Sequence, residues 1–279
     1  MRSITLNSVS YEEYHRCYQR CWRLADEVIV GAIADVHSPK YLEDFKRVLR
    51  NSPDVDLMLL AGDMIYKGRV EEYGNVLDVI KNRYDGCRIV ACFGNEEYDD
   101  KIELITKNYN DVTWLNDEYV TVNVKGLELN IFGTKGCLDR PTAWQRKNIP
   151  NVTQIYEQRL KKIDEALASL ALKRTGYVVL LSHYSITFKT LIGEPRWAWP
   201  ELGSSWLEGI VEKRGPHLVI HGHAHNSKVH LVTINRTRVY NVAFPATRKL
   251  TIIKLQGVKG ISEDVKGQTR LTSFMVGKP

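Results

Sequence analysis

The sequence lacks long apolar runs. None of its uninterrupted apolar stretches approaches the ~20 residues that a membrane-spanning helix needs. Residues 1–7 also lack the basic-then-apolar plan of a secretion signal. We therefore expect a cytoplasmic protein with no membrane association. Its 279 residues, 43% hydrophobic and 26% charged, are enough for one large α/β domain with a sizeable core.

Paired cysteine spacings and long runs of basic residues are missing as well. The cysteines do not have the spacing of a disulfide framework or a zinc ribbon: Cys17, Cys21, Cys87, Cys92 and Cys137. We expect free thiols in a reducing compartment. The formal net charge of +6 suits an anionic small-molecule substrate such as a phosphate ester. Nucleic acid is allowed but not indicated, because no long run of Lys or Arg marks a binding surface.

The two ends of the chain are predicted to lie outside the main domain. Residues 8–25 carry apolar side chains at steps of three and four, which predicts an amphipathic helix. We expect this N-terminal segment, 1–27, to pack on the domain or against a second subunit, so that a homo-oligomer is an open alternative. Residues 257–279 show no strong periodicity and are predicted to be a C-terminal tail.

Apolar strands alternate with amphipathic helices in the first third of the domain. The predicted strands are 28–34, 57–61 and 88–93, and the predicted helices between them are 39–51 and 69–84. This alternation is typical of parallel strands joined by right-handed crossovers. Functional groups of such sheets gather beyond the carboxyl ends of the strands. The residues at those ends can all bind metals: Asp35, His37, Asp63 and Asn95.

The rest of the domain is predicted to build a second sheet. A hairpin is predicted from 119–124 and 127–133 across Lys125-Gly126, followed by strands 177–182 and 218–221. Three further short strands are expected to complete the same sheet: 229–234, 239–243 and 250–255. Between them we predict a long lid or binding loop at 134–150 and a helix at 151–173.

Three histidines follow strand 218–221 within five residues. In His221-Gly222-His223-Ala224-His225, alternate residues of an extended chain share a face, so His223 and His225 can point the same way. His183, which follows strand 177–182, adds another imidazole. Together with the carboxylates and the amide at the ends of the earlier strands, these histidines form a mixed set of nitrogen and oxygen ligands. Such a set suits Mn, Fe, Zn, Co or Ni. Seven ligands are too many for one tetrahedral ion and enough for two.

The order of these motifs resembles the calcineurin-like metallophosphoesterase superfamily. The motifs are Asp35-x-His37, Gly62-Asp63, Gly94-Asn95, His183 and Gly222-His223-x-His225. The resemblance covers 28–256, which would be a metallophosphoesterase domain. It implies an α/β fold, a four-layer α/β/β/α sandwich of two mixed sheets flanked by helices.

The resemblance also implies a dinuclear metal centre and a reaction. The first ion would be held by Asp35, His37 and His225, the second by Asn95, His183 and His223, and Asp63 would bridge both. A metal-bridging hydroxide would attack the phosphate ester, and the implied catalytic residues are Asn95, Glu96 and His223.

One position departs from the resemblance. Relatives usually carry a His after the Asn of Gly94-Asn95, where it contacts phosphate and protonates the leaving group, but this chain has Glu96. A carboxylate beside two divalent cations stays ionised, donates no proton and repels phosphate oxygens. Because a diester carries one negative charge and a dianionic monoester two, we expect a phosphodiesterase. A phosphomonoesterase, a nuclease and a noncatalytic binding module on the same scaffold stay open as alternatives.

Aromatic and basic side chains near the motifs are candidates for substrate binding. Arg140, Trp144 and Trp197 could form a wall with aromatic faces for a base and a cation for phosphate, and Tyr184 follows His183. The alternative is that the tryptophans only pack loops onto the sandwich.

Overall fold

A computed structural model describes residues 27–173 and 176–256. In these ranges the first sheet has the strand order β11-β1-β2-β3-β4. Its strands are β1 (Glu27–Ile33), β2 (Leu57–Ala61), β3 (Arg88–Cys92), β4 (Thr113–Leu115) and β11 (Thr251–Gln256). Strands β1 to β4 are parallel, and β11 pairs antiparallel with β1 at the edge. The predicted parallel arrangement of the first three strands is thus confirmed.

The second sheet has the strand order β5-β6-β7-β8-β10-β9. Its strands are β5 (Glu118–Val124), β6 (Leu127–Thr134), β7 (Tyr177–Ser182), β8 (Leu218–His221), β9 (Leu231–Ile234) and β10 (Thr237–Asn241). The four central strands are parallel, and β5 and β9 pair antiparallel at the edges. The predicted hairpin is confirmed, since β5 and β6 are joined by Lys125 and Gly126, whose φ angles of 50° and 82° suit a tight hairpin turn.

Helices cover the outer face of each sheet. The helices are α1 (Leu42–Arg50), α2 (Glu72–Arg83), α3 (Ile102–Asn108), α4 (Ala143–Asn148), α5 (Val152–Leu172), α6 (Ser205–Arg214) and α7 (Phe244–Thr247). Side chains of α1, α2 and α3 share a buried cluster with the first sheet. Side chains of α5 and α6 share another with the second sheet. No helix in the described ranges is both long and apolar enough to cross a membrane.

The two sheets pack face to face through a third apolar cluster. Ala32 and Leu59 of the first sheet and Leu181 and Ile220 of the second belong to this cluster and are fully buried. The central strands are apolar on both faces because one face meets the other sheet and the opposite face meets helices. Each buried aliphatic side chain contributes about 1.5–3 kcal/mol to the stability of the fold. The predicted four-layer α/β/β/α sandwich is confirmed.

The last strand lies in the other sheet from the one predicted. We expected 250–255 to complete the second sheet, but β11 pairs with β1 of the first. The chain leaves β10 and runs beside Ala34, whose N–H donates to Val242 O and whose carbonyl accepts from Phe244 N. An alternating apolar pattern shows which face of a strand is buried and does not identify its partner strand.

Two local predictions also need correction. Helix α1 begins at Leu42 rather than at Pro39, because residues 37–42 form turns with hydrogen bonds from Lys40 N to His37 O and from Leu42 N to Pro39 O, each three residues apart. The predicted loop at 134–150 contains helix α4, which begins with a capping box between Thr142 and Gln145. The predicted N-terminal helix and C-terminal tail lie outside the described residues.

Candidate metal centre

The loops beyond β1, β2 and β8 turn sharply. Four of the seven predicted ligands have left-handed backbones: Asp35 (φ 60°), His37 (φ 45°), Asp63 (φ 51°) and His223 (φ 67°). This conformation costs roughly 1–2 kcal/mol for a residue with a Cβ, and such strain clusters at functional sites. The turns direct successive side chains toward one edge of the sandwich.

The motif glycines allow these loops to lie against one another. A Cβ on Gly94 would clash with the Asp63 carboxylate and lie 2.6 Å from its backbone nitrogen. A Cβ on Gly222 would clash with the Asp35 carboxylate and lie 2.5 Å from the Ala34 Cβ. Glycine is therefore required at both positions for close approach of the loops.

Asp35, His37 and His225 form a first group of candidate ligands. The ligand atoms of all three lie within 4.8 Å of one another. His225 Nε2 is 2.8 Å from Asp35 Oδ1 and 3.4 Å from His37 Nε2. The buried Nδ1 of His37 has no hydrogen-bond partner among the described residues. The His37 ring thus presents its Nε2 to the group.

Asp63, His183 and His223 form a second group, in which Asp35 also takes part. His183 Nε2 lies 3.4 Å from Asp63 Oδ2 and 3.2 Å from Asn95 Oδ1. The other ring nitrogen of His183, Nδ1, donates to the carbonyl of Ala61 at 2.9 Å. That hydrogen bond keeps a proton on Nδ1 and points Nε2 toward the group, so that Nε2 could bind a metal ion after it loses its own proton. Asp35 is therefore the carboxylate common to both groups.

The separations fit bound transition ions. Two nitrogen ligands about 2.1 Å from a common ion at a tetrahedral angle lie about 3.4 Å apart, the separation between the His37 and His225 nitrogens. The donor set of imidazoles, carboxylates and an amide oxygen also suits such ions. Both groups could hold a metal ion.

Burial and mutual proximity shift the pKa values in the second group. Burial alone would raise the pKa of Asp63, but the neighbouring His183 lowers it overall. Burial would lower the pKa of His183, but the Asp63 carboxylate raises it to about 9. Burial and then His183 lower the pKa of His223 to about 3. In the metal-free protein at neutral pH, His183 is protonated and His223 is neutral.

Glu97 is a fully buried carboxylate behind the two groups. It accepts hydrogen bonds from the backbone N–H groups of Asp63 at 2.7 Å, Met64 at 2.8 Å and Gly94 at 2.7 Å, and from the Tyr73 hydroxyl at 2.8 Å. Burial, followed by the charge of Asp63, raises its pKa. We did not predict this role, although the position of Glu97 two residues after Asn95 was a signal for it.

The Glu96 side chain belongs to neither of the two groups and lines the cavity beside them. Its Oε2 accepts a hydrogen bond from Lys67 N at 2.6 Å, and its carbonyl accepts from Gly68 N at 2.9 Å. Its own N–H donates to Asp63 Oδ1 at 2.7 Å. The Glu96 backbone therefore orients Asp63, and its side chain is held by the 66–68 turn at the rim of the site.

A cavity of about 650 Å³ adjoins the candidate centre and includes His223, Asn95 and Glu96 in its wall. Of the predicted substrate residues, Trp144 and Tyr184 line it. Arg140 and Trp197 do not line it. The Arg140 guanidinium instead binds Glu201 at 3.0 Å and the carbonyl of Trp197 at 2.7 Å.

His221 lies behind the loop and faces neither group. Its Nε2 is 2.9 Å from the Thr190 hydroxyl, and its Nδ1 is 2.8 Å from the carbonyl of Gly222. Burial lowers its pKa to about 4, so the ring is neutral. Its contacts join the loop after β7 to the end of β8.

Comparisons with known proteins agree with this geometry. A family model described as calcineurin-like phosphoesterase matches residues 29–227. A comparison with curated proteins finds no significant match.

Solved structures support the fold. Phosphopantetheinyl hydrolase (PptH) from Mycobacterium tuberculosis superposes with a TM-score of 0.52 at 15% identity, over 79% of this chain and 91% of that one. The protein TT1561 of Thermus thermophilus superposes with a TM-score of 0.50 at 15% identity, over 81% of this chain and 97% of that one. At this identity the likeness concerns the fold alone.

Proposed function

Because the chain belongs to the calcineurin-like phosphoesterase family, whose members are metal-dependent hydrolases of phosphoric esters, we propose that its preferred substrates are small phosphodiesters. The metal-dependent reaction is supported by the side chains from five loops that meet in two adjoining sets of candidate ligands sharing Asp35. The preference for diesters is supported by the Glu96 carboxylate in the wall of the adjoining cavity. Family membership favours an enzyme over a noncatalytic binding module.

Two divalent transition ions, with Mn, Fe, Zn, Co and Ni as candidates, would occupy the centre. Asp35, His37 and His225 would hold the first ion and Asn95, His183 and His223 the second. The resemblance to the family assigns the bridging role to Asp63, whereas Asp35 is the carboxylate that both groups share. Support comes from the separations between ligand atoms, which include 2.8 Å between His225 and Asp35, 3.2 Å between His183 and Asn95 and 3.4 Å between His37 and His225. The bound ions would offset phosphoryl charge and lower the pKa of a bound water.

The surrounding residues position these ligands. The carbonyl of Ala61 fixes the His183 ring, and the Asp35 carboxylate accepts the His223 N–H at 2.9 Å, which ties the β1 and β8 loops together. Tyr184 packs on the His223 ring with a centroid separation of 4.8 Å. These contacts hold the donors in place before a substrate arrives, which lowers the entropic cost of catalysis.

Glu96 is proposed to set the preference for diesters. Its carboxylate lines the cavity beside the centre, so a phosphate that binds there would be repelled by its negative charge. At equal distance the repulsion of a dianionic monoester is about twice that of a monoanionic diester. The Lys67 N–H holds the Glu96 carboxylate at this position in the wall, and a movement of the side chain would cost that hydrogen bond.

Hydrolysis of bis(p-nitrophenyl) phosphate and p-nitrophenyl phosphate by the protein loaded with Mn, Co, Ni or Zn tests the proposal. We expect two ions per chain and a higher kcat/KM for the diester. Glu96→His should raise kcat/KM for the monoester. Glu96→Gln removes the charge and keeps an oxygen for the Lys67 N–H. Comparison of Glu96→Gln with Glu96→His therefore separates the effect of removing the charge from the effect of adding a proton donor. A wild-type preference for the monoester, or no hydrolysis with both sites loaded, would contradict the proposal.

A further inference from the structure

The cavity beside the candidate centre has a largely apolar wall. Its apolar lining includes Leu138, Trp144, Ile149, Val152, Ile155 and Tyr156. Trp144 and Ile155 are 64% and 37% exposed, unusual values for large apolar side chains that face a concave surface. The volume of about 650 Å³ is in the range of small-molecule sites.

The cations in the wall are already neutralised. Arg159 binds both carboxylate oxygens of Asp117, at 2.9 and 3.0 Å, and donates to the carbonyl of Gly136 at 3.0 Å. Lys135 binds Asp99 at 2.7 Å. Glu96, Asp99 and Asp100 also line the cavity, so its three carboxylates outnumber its two cations. A second phosphate or a carboxylate on the substrate would find no unpaired cation among the described lining residues.

Two polar side chains of the wall, Gln145 and Tyr184, are hydrogen-bonded to each other. Gln145 donates to the Tyr184 hydroxyl at 3.1 Å, and its carbonyl oxygen accepts from the Thr142 N–H at 2.8 Å. A ligand in this cavity therefore gains mainly from burial of apolar surface. The contribution of such burial is about a fourfold change in affinity for each methylene.

We infer that the cavity receives an uncharged apolar arm of the substrate, so that the enzyme selects phosphodiesters with an alkyl or aryl group over diesters whose arms are anionic. The inference rests on the proposed function, because the cavity adjoins the candidate metal centre through His223 and Asn95. It goes further by naming the chemical class of the group attached to the phosphate.

Binding to the metal-loaded protein tests the inference separately from hydrolysis. The probes are dimethyl, dibutyl and bis(3-carboxypropyl) phosphate, measured by calorimetry. All three are diesters, and the last two have arms of similar length that differ in terminal charge. We expect dibutyl phosphate to bind at least about tenfold more tightly than dimethyl phosphate, since one arm adds three methylenes. Bis(3-carboxypropyl) phosphate should bind no more tightly than dimethyl phosphate.

Variants assign this selectivity to the cavity. Trp144→Ala should lower the preference for dibutyl phosphate by about threefold or more. The matched control is Trp206→Ala, because Trp206 is 69% exposed and does not line the cavity. Ile155→Lys adds a cation at an exposed position of α5. In this variant bis(3-carboxypropyl) phosphate should bind more tightly than dibutyl phosphate.

Two results would overturn the inference. One is equal affinity of the wild type for all three diesters. The other is the same dibutyl preference in Trp144→Ala as in Trp206→Ala. Selective binding without hydrolysis of bis(p-nitrophenyl) phosphate would support the inference and contradict the proposed function.

Discussion

The Glu97 carboxylate accepts a hydrogen bond of 2.7 Å from the backbone N–H of Asp63, which lies 34 residues earlier in the chain. The same carboxylate accepts the N–H of Gly94 at 2.7 Å. It therefore ties the loop after β2, which carries Asp63, to the loop after β3, which carries Asn95. The separation of two candidate ligands therefore depends on a side chain that belongs to neither ligand group.

Glu97→Gln should destabilise the fold and weaken metal binding. An amide offers one acceptor oxygen and turns an NH₂ group toward backbone donors, so buried N–H groups lose their partner. We expect a loss of roughly 2–4 kcal/mol in the free energy of unfolding, measured by urea denaturation with a metal titration in parallel. Tyr73→Phe removes a single donor to Glu97 and should cost about 1 kcal/mol. Equal losses in the two variants would contradict this role of Glu97.

Removal of a ligand from the first group should empty that site alone. His225→Ala deletes the nitrogen that lies 3.4 Å from His37 Nε2, and the second group retains its own donors. We expect metal content after dialysis to fall from about two ions per chain to about one. His217→Ala is the control, because His217 belongs to neither group and should leave the content unchanged. Loss of both ions from His225→Ala would show that the sites do not fill independently.

The sequence was sufficient to predict the layers of the fold and to predict which side chains lie close together at the candidate centre. Continuous apolar strands followed by polar residues predict buried parallel strands whose ends carry the site, and Asp35, Asp63 and His183 are found together there. The apolar pattern could not place β11, because a strand with one pattern can pair at either sheet edge. Helix α4 was missed although Thr142 and Gln145 carry the spacing of a capping box.

The wall of the cavity was harder to predict from the sequence. The residues that neutralise Arg159 and Lys135 lie 42 and 36 positions away, and no local pattern reveals such pairing. Arg140 was predicted to contact phosphate because it is basic and close to the motifs. In the fold its guanidinium forms an ion pair with Glu201, so its charge is neutralised away from the candidate centre.

Metal binding should release protons at neutral pH. Burial lowers the pKa of His183, but Asp63 raises it to about 9, so at pH 7 a metal must displace a proton from this ring. We expect release of about one proton from His183 and an apparent affinity that rises about tenfold per pH unit up to pH about 9. Calorimetry in buffers of different ionisation enthalpy measures the release. No proton release at pH 7 would contradict the prediction.

The same pKa has a consequence for the metal-free fold. A folded-state pKa above the ordinary 6.5 means that the His183 pairing with Asp63 stabilises the fold fully below pH about 6.5. This contribution is lost as pH rises through about 9. Urea denaturation of the metal-free protein between pH 6 and pH 10 should show this decline, and saturating metal should reduce it because the ring is then deprotonated at every pH.

Gly94→Ala should abolish metal binding because the loops after β2 and β3 touch at this residue. The added Cβ would clash with the Asp63 carboxylate and lie 2.6 Å from the Asp63 nitrogen, so Asp63 or the Asn95 loop must move. Gly209→Ala is the matched control. Gly209 lies within α6 with nothing within 4 Å of a new Cβ, so alanine there should stabilise the fold by about 0.5–1 kcal/mol. Calorimetric metal titration and thermal unfolding of both variants measure the contrast, and full metal binding by Gly94→Ala would show that the loops can separate without loss of the centre.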